Sequence, residues 1–302
     1  MTEQTPKQKI IVIVGPTASG KTSLAVSLGK DLKGEVISAD SRQIYKHLDI
    51  GTAKITPEEM MGVPHHLIDN VLPEDTYTVT DWVSDAEKLI EEIYARGNVP
   101  IIAGGTFLYI DTLLGKKVPA RVPPNTELRA TLEKKTNTEL FALLTEKDPL
   151  RAQVIDKDNP RRLVRALEII DALGEVPKVT LSDSPYDAYV IGLAHDTETL
   201  KERIFTRLDE RIDAGLVEET KNVLEKYVSE DRLNEIGLEY RIALEYIKRE
   251  LSEEAMRKKL REKVWQYAKR QLTWLKKMEN VHWHNPKEYG EILSEVRGFL
   301  GR

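Results

Sequence analysis

The run Gly15-Pro16-Thr17-Ala18-Ser19-Gly20-Lys21-Thr22 spaces two glycines, a lysine and a hydroxyl as G-x-x-x-x-G-K-[ST]. Glycines at this spacing let consecutive backbone N–H groups turn toward one anion, and a helix starting there adds its positive end. Lys21 contributes a point charge, and Thr22 a hydroxyl suited to Mg2+. The chemistry is the holding of phosphates, and alone it suggests a bound nucleotide such as ATP. Asp40 and Thr106 are the other polar side chains of interest. Each follows an apolar run that reads as a strand, and in open α/β sheets ligands sit beyond such strand ends. A carboxylate at Asp40 can take a proton from an incoming nucleophile, or it can simply cap the following segment. Thr106 follows two glycines that let backbone approach a ligand, and its hydroxyl can donate or accept.

What becomes of the phosphate is not written in the loop. Motor ATPases carry a metal-organising acid at the end of an apolar strand. The matching segment, Ile101-Ile102-Ala103-Gly104-Gly105-Thr106, has none. Small-molecule kinases and other transferases remain.

These residues need a scaffold that brings strand ends together. Ile10–Val14 is a continuous apolar run bounded by Gly15, as in a buried parallel strand. Thr22–Leu32 follows with Leu24, Ala25, Leu28 and Leu32 at helical spacing. Further strands are expected at Glu35–Ser38, His66–Ile68, Val99–Ala103, Tyr189–Leu193 and Val281–Trp283, with a helix at Val79–Arg96 closed by Gly97. The fold class is therefore α/β, a P-loop kinase-like open parallel sheet flanked by helices. Between Pro119 and Ser182–Pro185 the periodicity is helical with no strand candidate, giving an all-helical insertion at 120–185 between core segments 8–119 and 186–302. From His195 to about Met278 the pattern is again helical.

Bulk properties narrow the class. Charged residues make up 31% of the 302, the formal net charge is -5, and there is no cysteine. Thiolate chemistry and disulfides are excluded. The polar first ten residues and the absence of any apolar run near the roughly 20 residues of a membrane span point to the cytoplasm and to no membrane contact.

Net acidity does not preclude a local basic face. Between Arg257 and Lys277 stand nine basic residues, Lys269 and Arg270 among them, against one acid, Glu262. Trp265, Tyr267 and Trp274 are interleaved, a composition that suits phosphate contact and base stacking. The same pattern is also that of a solvated amphipathic helix. Arg161, Arg162 and Arg165 cluster within about a helical turn, suiting phosphate or base contact. The histidines His65, His66, His282 and His284 read as structural.

Taken together, the motifs resemble the tRNA dimethylallyltransferase family. They are GPTASGKT at 15–22, ISADSRQIYKHLDIGTAK at 37–54, VPHHLID at 63–69, GGTFLY at 104–109, NPRRLVRALE at 159–168 and QYAKRQLTW at 266–274. They lie in family order across nearly the whole chain. The resemblance implies transfer of a dimethylallyl group from dimethylallyl diphosphate to N6 of the adenosine immediately 3′ of the anticodon. Asp40 would be the general base, Thr106 would position the amine, and the loop with Arg207 would hold the diphosphate with Mg2+. Contacts to the tRNA anticodon stem-loop are implied for Asp40, Ser41, Arg42, Gln43, Thr106, Arg129, Arg161, Arg162, Leu163, Val164, Arg165, Lys269 and Arg270, in a monomeric enzyme. Two positions depart from the family pattern. Arg211 stands where relatives carry methionine, and 235–241 has Glu239 before Tyr240. The alternatives are a P-loop kinase for a nucleoside or small alcohol, and a non-catalytic RNA-binding module switched by a nucleotide.

Overall fold

The computed structural model describes residues 7–116, 120, 122–177 and 184–302. Six strands form one sheet: β1 Gln8–Val14, β2 Gly34–Ala39, β3 His65–His66, β4 Val99–Gly104, β5 Tyr186–Leu193 and β6 Val281–His284. Their spatial order is β3-β2-β4-β1-β5-β6, with every pairing parallel. Continuous apolar runs suit this arrangement because both faces are covered. Ile10, Val12 and Val14 pack into one core with Ile37 and Ile102, while Ile11 and Ile13 pack into the other with Val36, Ile101 and Ile191.

Register decides where the chemistry can sit. Val14 and Ala39 are both level with Gly104, and Val14 is also level with Gly192. The segments after β1, β2, β4 and β5 therefore leave the sheet at one height. Gly15, Asp40 and Gly105 open three of them.

Two expectations need correction. The strand anticipated at His66–Ile68 is only His65–His66, because Leu67 and Asp69 adopt left-handed backbone (φ 58 and 54), which ends pairing. A helix at Tyr289–Leu300 went unanticipated. Gly290 and Gly298 weaken its propensity, but Ile292 and Val296, one turn apart, are buried against the Ile11–Ile13 face.

By internal packing the chain divides into two units, Met1–Gly115 with Asp183–Arg302, and Lys116–Ser182. Pro119, where the first expected boundary falls, lies outside the described residues. The smaller unit contains helices Thr126–Leu132, Asn137–Lys147, Pro149–Ala152 and Pro160–Leu173, and no strand among the described residues. Its own core includes Leu132, Leu140, Leu144, Leu163 and Leu167. Each of the longer helices starts at a side-chain cap, such as Thr136 with Glu139 in a reciprocal capping box. In the larger unit, helices Thr197–Asp213 and Glu253–Leu275 pack along Leu200, Ile204, Leu208, Met256, Leu260 and Val264. No helix among the described residues is long and apolar enough to cross a membrane.

Candidate active site

The phosphate loop bridges β1 and the helix Lys21–Leu32. Gly20 caps that helix in a left-handed conformation (φ 96), where a side chain would be strained. Gly15 is needed for a different reason: a Cβ there would come within 2.5 Å of the buried Ser19 hydroxyl. Lys21 Nζ donates to the carbonyls of Gly15 (3.0 Å) and Pro16 (2.7 Å), so its ammonium lies against the loop itself. Burial pulls its pKa down to about 8, Asp40 opposes that shift, and Arg207 adds to it. The Thr22 side chain is exposed on the first helical turn.

Asp40 leaves β2 beside this loop. Its Oδ1 accepts from the backbone N–H groups of Arg42 (2.8 Å) and Gln43 (3.3 Å). The local capping role is thus real, yet it occupies one oxygen. Thr106 Oγ1 accepts from Ser41 N–H at 3.0 Å, and Thr106 N–H donates to Ala39 O at 3.0 Å. Thr106 therefore ties the end of β4 to the Asp40 segment. Gly104 permits the closeness, since a Cβ there would meet Ala39 O at 2.1 Å.

Sequence reasoning singled out Arg207 and Arg211 but missed Arg203 and the row the three form. On helix Thr197–Asp213, Arg203, Arg207 and Arg211 recur every four residues and so share a face. Arg203 Nε donates to Ala18 O (2.9 Å), Arg207 Nη2 to Ala53 O (3.5 Å) and Arg211 Nε to Ile50 O (2.7 Å). Burial and the neighbouring Arg211 hold the Arg207 pKa below its ordinary value. Crowded cations of this kind favour an anion between them. Opposite Arg211, Glu219 accepts the N–H groups of Asp49 (2.9 Å), Ile50 (2.7 Å) and Gly51 (2.8 Å), and the Tyr240 hydroxyl (2.7 Å). Gln43 Nε2 donates to Ala53 O at 3.0 Å, so the Asp40–Gln43 turn and the 49–53 loop are one fastened assembly.

A sequence model of the IPP transferase family matches residues 43–278. The tRNA dimethylallyltransferase of Alkaliphilus oremlandii is 39% identical over 98% of both chains. The chain belongs to the IPP transferase family. The full-length tRNA isopentenylpyrophosphate transferase from Bacillus halodurans has a TM-score of 0.73 at 38% identity, covering 98% of this chain and 97% of that one. A eukaryotic dimethylallyltransferase, solved while acting on tRNA, has a TM-score of 0.76 at 28% identity over 97% of this chain and 78% of its own.

In this transferase the basic helix Glu253–Leu275 is less uniformly cationic than its composition suggests. Arg257 pairs with Asp213 and Glu253, Lys259 with Glu245, and Arg261 with Asp209. Lys258, Lys263, Lys269, Arg270, Lys276 and Lys277 have no ion-pair partner among the described residues. Trp265 and Trp274 are half-buried against two cores. Tyr267 is 42% exposed, with the Arg270 guanidinium 6.0 Å from its ring centre. Partial burial and then Asp40 push its pKa up to about 12, which places the phenol in the field of that carboxylate.

In the smaller unit, four residues expected at the RNA are engaged within the protein. Leu163 and Val164 lie in its core, 0% and 6% exposed, so their side chains have no face for RNA. Arg129 forks onto the buried Glu168 (2.7 and 2.8 Å), and Arg165 donates to Glu168 (3.2 Å) and Val122 O (2.8 Å). Burial raises the Glu168 pKa, but Arg129, the Asn125 N–H and Arg165 outweigh it, leaving a net depression. Arg161 and Arg162 remain exposed.

The six histidines have local partners or neighbours. His65 contacts Val63 O, His66 Glu35, His195 Ser19 O and His284 Glu295, while His47 stacks on Tyr227 and His282 on Tyr189. His195, beside the phosphate loop, was not anticipated.

Proposed function

We propose that the protein transfers the dimethylallyl group of dimethylallyl diphosphate to N6 of the adenosine immediately 3′ of the anticodon in tRNA. The loop Gly15–Thr22 holds the diphosphate through those of its N–H groups that face the crevice, with Lys21 and Arg207 supplying cations. The donor C–O bond breaks and its electron pair leaves with the diphosphate. The N6–C bond forms, and the amine proton passes to Asp40. Thr106 keeps Ser41, and with it Asp40, in register with the loop.

The observation that carries this reading is Asp40. Two backbone N–H groups fix its Oδ1, and Oδ2 has no hydrogen-bond partner among the described residues. The carboxylate thus presents one oriented oxygen beside a phosphate loop whose neighbouring strand ends in Gly104-Gly105-Thr106, without an acid. That is the layout for deprotonating a nucleophile while a diphosphate departs. It is a poor layout for organising ATP hydrolysis.

Mg2+ fits this site through the exposed Thr22 hydroxyl, with donor oxygens and water completing its shell, and it would neutralise charge on the leaving diphosphate. The RNA is met by Lys269, Arg270, Arg42, Arg161 and Arg162, with Tyr267 stacking on the adenine once it leaves the anticodon loop. The enzyme acts as a monomer in the cytoplasm, where its tRNA substrate is found.

The test combines unmodified tRNA, Mg2+ and labelled dimethylallyl diphosphate. Label in the RNA, lost with Asp40→Asn, is the expected result. Phosphate transfer from ATP to a small alcohol without prenylation would instead establish the kinase reading.

A further inference from the structure

Gln271 is a buried polar side chain that the mechanism above does not use. It lies on helix Glu253–Leu275 and is 5% exposed. Its immediate predecessors Lys269 and Arg270 are exposed. The helix therefore shows cations to solvent on one side and aims a single amide inward on the other.

That amide is bonded at both ends. Its Oε1 accepts the Thr17 N–H at 2.9 Å, and its Nε2 donates to Gly105 O at 3.2 Å. Thr17 belongs to the phosphate loop after β1. Gly105 is the residue between β4 and Thr106. One side chain thus spans the loop that holds the leaving group and the strand end that carries the amine-positioning threonine. Space is reserved for it: a Cβ on Gly105 would come within 2.6 Å of Gln271 Nε2. The bond also fixes the direction of the Thr17 N–H, turning it toward protein and away from the crevice.

Resting on the prenyl-transfer reading, we infer that Gln271 is a positioning residue that sets the phosphate loop in register with Thr106. It touches neither substrate. Only an amide of this length supplies an acceptor to Thr17 and a donor to Gly105 together. A carboxylate keeps the first bond and sets two acceptor oxygens against each other at the second. Methionine fills the volume and leaves the part-buried Thr17 N–H and Gly105 C=O without these partners. Because reactive geometry tolerates little displacement, the loss falls on turnover and on the pre-formed anion site.

The experiment compares Gln271→Met and Gln271→Glu with the unsubstituted protein by three readouts: kcat for label transfer, affinity for inorganic diphosphate, and affinity for an anticodon stem-loop. Gln271→Met is expected to lower kcat by about 10- to 100-fold and weaken diphosphate on the order of tenfold. Stem-loop affinity should stay within about twofold. Gln271→Glu should recover relative activity as pH falls, since a protonated carboxyl regains the donor for Gly105. A loss confined to stem-loop affinity would make Gln271 an RNA contact and overturn the inference. So would unchanged kcat and diphosphate affinity with only a lower Tm. Should the unsubstituted protein transfer no label, the prenyl-transfer reading fails by itself, and diphosphate affinity still decides the role of Gln271.

Discussion

Arg211 and Glu239 pair with each other. Arg211 Nη2 lies 3.2 Å from Glu239 Oε1, and the same guanidinium donates to the carbonyls of Ile50 and Gly51. Both residues stood out in the sequence as departures from the resemblance, and the structure gives them one joint role. Glu219 takes the N–H groups of the 49–51 stretch while Arg211 takes its carbonyls, and Glu239 steadies Arg211. Arg211→Met should therefore cost about 1–3 kcal/mol in urea unfolding, because two carbonyls lose their donors. Glu239 is partly exposed, so Glu239→Ala should cost under about 1 kcal/mol. The double variant should show coupling of about 0.5–1 kcal/mol. Strict additivity would break the account.

Lys21 predicts a pH dependence. Its pKa is lowered to about 8, with burial as the main cause. A base whose pKa is depressed loses its charge earlier as pH rises, so the ammonium that attracts diphosphate is present below about 8 and fades above it. Phosphate-type groups complete their ionisation near pH 6, so the donor is unchanged in this window. Affinity for dimethylallyl diphosphate should fall by up to about tenfold per pH unit above 8, with proton uptake on binding. Titration calorimetry in buffers of different ionisation enthalpy measures that uptake. Lys21→Met should abolish both the pH step and the uptake.

Asp40→Asn separates catalysis from loop geometry. The asparagine carbonyl still accepts from Arg42 and Gln43, preserving the turn, while the open position no longer takes a proton. Turnover should drop by about 100- to 10,000-fold. Stem-loop affinity and Tm should stay close to their original values. A comparable fall in Tm would mean that Asp40 serves the turn alone.

Some of this was legible in the residues and some required the fold. β1 and β4 could be read because a strand buried on both faces must be apolar at every position. The phosphate loop and Asp40 followed from strand ends. The row Arg203, Arg207, Arg211 has visible i, i+4 spacing, but spacing does not say which backbone it will meet. Gln271 gives even less: its partners are 254 and 166 residues away, and a glutamine in a basic helix reads as surface. The Arg129 ion pair was hidden for a like reason. Glu168 is 39 residues on, and only folding of the smaller unit brings the two together.

That pairing gives a stability prediction. The Glu168 side chain is buried, and Arg129 and Arg165 both reach it. Its net pKa is depressed, so the stabilisation is present above the ordinary carboxylate range and is lost as pH falls through the folded-state value. Glu168→Leu would take the shared acceptor from the Asn125 N–H and from two part-exposed arginines. A loss of about 1–3 kcal/mol is expected, with hydrogen exchange rising first across 126–173. Arg161→Ala should leave this stability unchanged and weaken only RNA binding.

The basic helix supplies the last test, because its cations divide into two kinds. Lys269 and Arg270 have no ion-pair partner among the described residues, whereas Arg261 is bound to Asp209. A cation that neutralises an RNA phosphate releases a counterion, so its removal flattens the dependence of log affinity on log salt. Lys269→Ala and Arg270→Ala should each weaken stem-loop binding and reduce that slope by roughly 1. Arg261→Ala removes the same formal charge but should change the slope far less, because Asp209 already neutralises it. Tyr267→Ala should weaken binding by about 1–3 kcal/mol with the slope intact, since stacking releases no counterions. Equal slope changes for Arg261 and Lys269 would show that the helix acts through bulk charge, and the division between paired and open cations would fall.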